Sequence, residues 1–392
     1  MKRSILRLYS TGSGGPGSPL YPKSKIPVPP HFDPIKYRQW IRLNPNSIPE
    51  EKKVSIMSYN LLSQHYLWRL VFGYLKQDYL DWSNYRFPLI NKTIEYFQSD
   101  IICFQELECS IYEKQWKNGF PLSHYKSIYI KKLNPLYWGN KPSNQMDGVA
   151  IFVNSDKFDI IDYQTVNFSE YIQTHRDKFS LTNDLLKRVV PRNTVAIIVQ
   201  LYDKVNDKNI FVTNTHLYWS PKFNDVKLFQ SKLLINLLKE FITNTAKESN
   251  PHIIMCGDFN SIPESMVFRF LNNEVISLSK YKDFEKFNYG HKLNNEIIIN
   301  DEIKNPFDLS SAYDILLSNH NYSKHKLNFT SYTRNLTAVL DHIWYSSQTF
   351  NVVKILSEVD ENYTWNFQVK GFPNEQFPSD HIPLIAEVAY NS

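Results

Sequence analysis

Residues 253–261 read I-I-M-C-G-D-F-N-S, and the fold follows from how that run ends. Four apolar residues lead to Gly257, the pattern of a strand buried on both faces that stops at a turn. The first polar groups beyond it are the carboxylate of Asp258 and the amide of Asn260. An ionised carboxylate at a buried strand tip needs a cation or several donors around it, so Asp258 is expected to face a metal or to serve as a base of tuned pKa. In extended backbone, residues i and i+2 face one side, so Asp258 and Asn260 can address a common object. A plain Gly-Asp-x-Asn turn is the other reading of the same letters.

Working outward, the same figure recurs. Residues 54–60, V-S-I-M-S-Y-N, alternate like a half-buried strand and end on Asn60; residues 100–105, D-I-I-C-F-Q, form a buried strand that stops at Glu106. Between them Ile90, Ile94 and Phe97 recur at helical spacing over 87–99. A third strand opens at 147–153, D-G-V-A-I-F-V. Residues 194–201 and 210–217 flank the polar turn 203–209 as an antiparallel hairpin that carries His216 near its end. Val226, Phe229, Leu233, Leu237 and Phe241 make one stripe of an amphipathic helix over 224–246, which leads into the opening strand. Segments 339–345 and 380–389 read as two closing strands, with Asp341, Asp380 and His381 at or near their starts. Residues 110–146 show no clear period, and 271–328, rich in Asn, Lys and Ser, read as loops or an insertion.

The chain has 392 residues, 42% hydrophobic and 15% aromatic, enough for one large core. No apolar run approaches the roughly 20 residues that a spanning helix needs. Cys103, Cys109 and Cys256 are odd in number and lack paired metal spacing, which argues for a reducing compartment and against a disulfide framework or zinc knuckle. Cys103 and Cys256 lie inside apolar runs and are expected to be buried. The formal charge of +5 is mild, and Lys2, Arg3, Arg7, Lys23 and Lys25 all precede the first acid, Asp33. A strongly basic patch must therefore be assembled by folding.

Residues 1–9, M-K-R-S-I-L-R-L-Y, contain no acid and put Ile5, Leu8 and Tyr9 on one helix side and the cations on another, a pattern that Leu6 breaks. This resembles a mitochondrial transit peptide, and Arg7-Leu8-Tyr9-Ser10 resembles a matrix-protease cleavage pattern; a basic, unstructured start is the other reading. Residues 11–34, rich in Gly, Ser and Pro, read as a linker outside the fold. The expected organisation is a transit peptide and disordered linker over 1–34 and one domain over 50–392, located in mitochondria, with the matrix as the expected compartment.

Asn60, Glu106, His216, Asp258, Asn260, Asp341, Asp380 and His381 all fall at or beside strand ends. Singly, each reads equally as a cap, a solvated acid or a satisfied core histidine. Together they matter more, because strand tips in a packed sandwich converge on one edge. The set is rich in carboxylate and amide oxygen and has no suitable thiolate, the chemistry that selects Mg²⁺ or Mn²⁺. Such an ion polarises a phosphoryl oxygen, carboxylate-paired histidines donate to the same phosphate, and a free carboxylate activates water. These parts together describe phosphodiester hydrolysis.

G-D-F-N-S at 257–261, Q-E at 105–106, N-T-H-L-Y-W-S-P at 214–221, L-D-H-I-W-Y-S at 340–346 and S-D-H-I-P-L at 379–384 resemble, in order and spacing, the endonuclease/exonuclease/phosphatase superfamily. The resemblance covers about residues 54–390 and points to the deadenylase-like branch, which includes nocturnin and the carbon-catabolite-repressor-type poly(A) nucleases. It implies an α/β fold of the DNase-I-like kind, a four-layer α/β/β/α sandwich of two mostly antiparallel sheets flanked by helices. It also implies Mg²⁺-dependent 3′ to 5′ exonucleolytic attack on single-stranded RNA 3′ ends, poly(A) among them.

By the same resemblance Glu106 is the principal metal ligand, with Asn60 beside it and Asp380 at a second ion or its water shell. Asp258 activates the water, Asn260 holds it and the phosphate, His381 and His216 contact the phosphate, and Asp341 orients His381. His342 departs from the pattern, where Tyr is more usual, and should point away from the site. A related phosphatase or phosphodiesterase on a nucleotide, such as a dinucleotide 2′-phosphatase or a 2′,5′-oligoadenylate hydrolase, would use the same centre, because the surrounding pocket chooses the leaving group. Arg192, Asn193, Tyr218, Trp219 and Phe377 are candidates for substrate contact, with core packing as the other reading of the aromatics. A non-catalytic RNA-binding scaffold would keep the fold and lose the strand-tip acids, all of which are present here.

Overall fold

The alternation read along residues 54–60 belongs to a strand, Lys53–Asn60, whose Val54 and Ile56 face one core while Met57 and Tyr59 face another. That double burial is repeated in the neighbours and generates a layered molecule. The computed structural model describes residues 23–44, 48–246, 248–290, 301–317, 325–366 and 368–391. Its seven-stranded sheet runs Trp40–Arg42, Phe350–Leu356, Leu384–Tyr390, Lys53–Asn60, Ile101–Glu108, Asp147–Asn154, Tyr125–Lys131. Its six-stranded sheet runs Leu309–Ser311, Asp341–Ser346, His252–Asp258, Lys208–His216, Val195–Asp203, Phe158–Asn167.

Each large sheet contains one parallel pair: Lys53–Asn60 beside Ile101–Glu108, and Lys208–His216 beside His252–Asp258. A parallel pair needs a crossover, and helices Phe87–Phe97 and Asn224–Thr245 supply the two. The first buries Leu89, Ile90 and Ile94. The second buries the whole expected stripe from Val226 to Phe241. Ile, Val and Cys side chains of both sheets, Cys103 and Cys256 among them, fill the space between the sheets, and the two helices cover the outer faces. The result is the α/β/β/α sandwich that the family resemblance implies. All three cysteines are buried and unpaired.

Parallel strands finish at the same edge, so Asn60, the end of Ile101–Glu108, His216 and Asp258 are delivered together. Gly257 is part of this closeness: a Cβ there would lie 2.4 Å from the Thr215 carbonyl oxygen on the parallel neighbour.

Several expectations need correction. Strands Tyr125–Lys131, Phe158–Asn167, Phe350–Leu356 and Trp40–Arg42 escape the sequence pattern. The closing strand is Leu384–Tyr390 and not 380–389, because Pro383 has no N–H to give a ladder, and His381 instead makes an isolated bridge to Ser331. Segment 271–328 is not all loop, since Leu309–Ser311 extends the six-stranded sheet; its residues 291–300 and 318–324 lie outside the described ones.

The fold also begins before residue 50, with Trp40–Arg42 paired to Phe350–Leu356. The linker reading fails for 23–34: Ser24 N donates to Asp81 Oδ2 (2.6 Å), Lys25 N to Asp78 Oδ1 (2.8 Å) and Gln376 Nε2 to the Asp33 carbonyl (2.7 Å). The transit-peptide reading of residues 1–9 and the first part of the linker lie outside the described residues, which begin at 23. No helix among the described residues is long and apolar enough to cross a membrane.

Candidate active site

The inward face of each central strand is apolar in its middle and polar at one end. Ile210 and Val212 give way to Asn214 and His216, Ile254 and Cys256 to Asp258, and Val54 and Ile56 to Ser58 and Asn60. Asp341 precedes Ile343 on the same face and stands opposite Asp258 in the antiparallel register. A two-residue period thus carries the last polar side chain of each strand, Asn60, His216 and Asp258, with Asp341 at the start of its own, into one space at the sheet edge.

Glu106 arrives by a different device. Ile102 and Phe104 point to the outer face, and regular alternation would send Glu106 after them. A bulge between Gln105 and Leu107 returns Leu107 to that face, and Glu106, at φ +56°, is turned aside to the site. Leu62 and Asn260 also have positive φ, at +55° and +48°. Backbone in this region costs about 1–3 kcal/mol for each non-glycine residue, and here three such residues cluster around one centre.

Asp258 is the focus. Asn60 Nδ2 donates to Asp258 Oδ2 (3.0 Å) and to Glu106 Oε1 (3.1 Å), bridging the two acids, while Asn60 Oδ1 accepts from Leu62 N (2.9 Å). Ser63 N donates to Glu106 Oε2 (2.9 Å). Nε2 of His216 and of His381 stand 3.6 and 3.8 Å from Asp258 Oδ2. Asn260 N donates to Asp258 Oδ1 (2.9 Å), and Asn260 Nδ2 to the Leu217 carbonyl (3.0 Å). The strand therefore ends at Asp258, and the same-side expectation for Asn260 gives way to a turn, secured by the buried ammonium of Lys227 on the Asn260 carbonyl.

The two histidines differ in charge. Burial alone would push His381 down, but Asp341, Asp380 and Asp258 outweigh it and hold the imidazole well above its ordinary value; its Nδ1 lies 2.7 Å from Asp341 Oδ2. His216 is held well below its ordinary value by burial, then by Lys132 and His381. Carboxylate pairing, which keeps a histidine protonated, holds for His381 alone of the two, since Nδ1 of His216 faces Lys132 Nζ at 3.1 Å and no carboxylate.

The acids show the opposite strain. Burial, then Asp147 and Asp380, push Glu106 up to about 8; burial, then Asp341, push Asp258 up to about 7; burial raises Asp380. Asp341 Oδ1 and Asp380 Oδ1 have no hydrogen-bond partner. Crowded carboxylates with spare oxygens are the surroundings that a divalent cation compensates, and the donors are hard oxygens. Ligand atoms of Asp258, Asp341 and His381 lie within 4.8 Å of one another. An imidazolium has no lone pair for a metal, so His381 in that form is a donor to a phosphate oxygen, and an ion falls to the carboxylate oxygens.

Of the candidate substrate contacts, Arg192 stacks on Tyr218 (4.5 Å) beside Trp219, which is 45% exposed. Asn193 Nδ2 ties down the Leu133 carbonyl (3.0 Å). Phe377 is a correction: 4% exposed and stacked on Phe372 (4.3 Å), it belongs to the core between the sheets. His342 points away from the site, as expected, with Nε2 on the Ser261 carbonyl (2.8 Å) and its ring against Phe268 and Trp344. Lys132, Asp147 and Arg86 were missed. Asp147 opens a strand and was within reach of the same strand-end rule; a lysine after an edge strand and an arginine before a helix carry no such mark.

Residues 57–381 match the Endonuclease/Exonuclease/phosphatase family. The CCR4-Not complex 3′-5′-exoribonuclease subunit Ccr4 of Kluyveromyces lactis is 32% identical over 337 residues, 84% of this chain and 40% of that one. Its Saccharomyces cerevisiae counterpart is 32% identical over 346 residues, 87% of this chain and 39% of that one. The chain thus spans about two fifths of the length of these curated relatives. The structure of ANGEL2, described as a 2′,3′-cyclic phosphatase in complex with adenosine-2′,3′-vanadate, superposes with a TM-score of 0.70 at 25% identity, over 90% of this chain and 98% of that one. The human nocturnin catalytic domain shares the fold, with a TM-score of 0.59 at 22% identity over 91% of this chain and 99% of that one.

Proposed function

The chain belongs to the endonuclease/exonuclease/phosphatase family, and from that premise we propose that it is a metal-dependent 3′ to 5′ exoribonuclease acting on single-stranded RNA ends, with Mg²⁺ as the ion and Mn²⁺ able to replace it. The observation that carries the reading is the environment of Asp258, whose carboxylate, pushed up to about 7, meets Asn60, His216 and His381 in one buried space. A base of that strength is matched to taking a proton from water near neutral pH. Glu106, beside Asn60, would hold the ion, with Asp380 near it; when bound, the ion polarises a phosphoryl oxygen and offsets charge in the transition state. His381, kept protonated by Asp341, donates to the phosphate, and Asn60 keeps the two acids in register. Arg192, Tyr218 and Trp219 offer a cation and stacking faces that accept any base.

The similarity to Ccr4 exoribonuclease subunits supports RNA as substrate, with poly(A) as one form of it. The similarity to ANGEL2 supports a second reading, hydrolysis of a phosphate ester at a nucleotide or RNA end. Product analysis decides between them. Purified protein with Mg²⁺ is given 3′-labelled poly(A), mixed-sequence RNA, single-stranded DNA, RNA ending in a 2′,3′-cyclic phosphate, and NADP⁺. Stepwise release of mononucleotides from RNA, abolished by Glu106→Ala, is expected; phosphate release or ring opening without shortening selects the second reading.

We also propose that the basic start directs the protein to mitochondria, a reading supported by the acid-free pattern of residues 1–9. A reporter fused to residues 1–30 should enter the organelle, and a diffuse cytosolic signal removes the proposal without touching the chemistry.

A further inference from the structure

We propose that Lys132 is a positioning residue for this reaction, which fixes His216 as the tautomer with its proton on Nε2, directed at the space between Asp258 and Glu106. The role of His216 rests on the hydrolase reading; the tautomer does not.

Lys132 follows the Tyr125–Lys131 strand and is 5% exposed. Its Nζ pairs with Asp147 Oδ2 at 2.7 Å and lies 3.1 Å from Nδ1 of His216. Its main chain is held by the same partner, since Lys132 N donates to the Asp147 carbonyl (2.9 Å). Asp147 is steadied in turn by the Tyr66 hydroxyl on Oδ1 (3.3 Å), with His65 Nε2 at 3.5 Å. Lys131, next door, goes elsewhere, with Nζ on the Ser143 carbonyl (3.3 Å).

An ammonium group has three donors and no acceptor. His216 Nδ1 must therefore accept the bond, and a neutral imidazole that accepts at Nδ1 carries its hydrogen on Nε2. That nitrogen is 3.6 Å from Asp258 Oδ2 and 4.0 Å from Glu106 Oε1, beyond hydrogen-bond range of both. The Nε2–H is thus aimed at the centre and left for an oxygen brought there by substrate. A lysine that merely neutralised Asp147 would not need to reach His216. One that bound phosphate itself would turn its ammonium toward the substrate, and not sit buried between the charge of Asp147 and Nδ1 of His216.

The test joins spectroscopy to kinetics. In metal-free, histidine-¹⁵N-labelled protein, the resonances lost in His216→Gln should report a bare Nδ1 and a protonated Nε2. In Lys132→Met/Asp147→Asn, where both charges of the buried pair are removed together, they should move to the averaged values of mixed tautomers. On RNA, Lys132→Met and the double variant should each lower kcat by roughly thirtyfold or more, with KM changed by less than about threefold. In a His216→Gln background, Lys132→Met should cost less than about a further twofold, because the two act as one unit. A protonated Nδ1 in the wild type, a tautomer indifferent to the double variant, or an undiminished loss in the His216→Gln background would each overturn the proposal. Should the wild type fail to cleave RNA at all, the exoribonuclease reading falls while the spectra still decide whether Lys132 fixes the tautomer.

Discussion

Nδ1 of His381 lies 2.7 Å from Oδ2 of Asp341, a residue of the opposite sheet whose other carboxylate oxygen has no partner. His381 itself sits just before the Leu384–Tyr390 strand of the seven-stranded sheet, so the bond spans the two layers at their polar edge. The pair turns an imidazole that burial would leave neutral into a cation facing Asp258. Asp341→Asn keeps the shape and an acceptor oxygen but removes the charge. We expect kcat to fall by about a hundredfold with KM little changed, read in single-turnover cleavage of 3′-labelled RNA. Full activity in Asp341→Asn would mean that His381 does not act as a cation.

Glu106 gives a prediction in which stability and activity move in different directions. Its carboxyl is 11% exposed, pushed up to about 8, and reached through strained backbone, so without an ion it is a burden on the fold. Glu106→Gln should abolish RNA hydrolysis yet melt no lower than the wild type in EDTA. Adding Mg²⁺ should raise the wild-type melting temperature and leave that of Glu106→Gln unmoved; at a hundred times Kd the wild-type gain is about 2.7 kcal/mol. Equal Mg²⁺ shifts in both proteins would place the ion elsewhere.

Arg86 lies wholly inside the molecule under the loops that carry the site. Nε donates to the Pro378 carbonyl (2.5 Å), and NH2 to the carbonyls of Leu61 and Leu62, the latter at 2.8 Å. It therefore couples the residues after Asn60 to the segment bearing Asp380 and His381. Burial lowers it to about 10, which leaves it a cation at neutral pH. Arg86→Met would strip three carbonyls of their donor and should lower unfolding free energy by roughly 3 kcal/mol, with activity falling alongside. Arg86→Lys should recover only part, lacking the planar fork. A urea midpoint for Arg86→Met equal to that of the wild type would refute this role.

What the sequence made legible, and what it hid, follows from burial geometry. Strands such as His252–Asp258 are covered on both faces, so their apolar runs stand out and the polar residues that end them, Asp258 and Asn60, announce themselves. Phe158–Asn167 and Tyr125–Lys131 lie at sheet edges with much of their length only partly covered, and Asp162, Tyr163 and Lys126 blur the period. Glu106 stands out as the charge that closes the mostly apolar run 101–105, but the strand continues to Glu108 and the bulge that turns Glu106 is hidden, because nothing in Q-E-L distinguishes a bulge from a regular strand. Lys132 and Arg86 were hidden for another reason: their partners His216 and Pro378 lie 84 and 292 residues away, and no local pattern encodes such a contact. The Phe377 error has the same origin, since an aromatic near motif residues reads alike whether it lines a cleft or fills a core.

His342 provides a test in acid. It packs against Phe268 and Trp344 on the outer face of its sheet, and burial, offset in part by the Ser261 carbonyl and Asp341, pushes it down to about 4. An unfolded chain binds the same proton near pH 6.5. Above that value neither state is protonated and the fold is at full strength. As the pH falls below 6.5 the unfolded state gains a proton that the native state refuses, so stability declines until the native imidazole also titrates at about 4. The gap corresponds to roughly 3 kcal/mol. His65, which burial, offset in part by Asp147, pushes down to about 4, contributes in the same window. His342→Gln can keep the donor to Ser261 without the titration, so its unfolding free energy should fall less steeply between pH 6.5 and 4 than that of the wild type. Its kcat near pH 7.5 should stay within about threefold, because the side chain faces away from Asp258. Superimposable stability curves for the two proteins would show that this imidazole is not held neutral by the core.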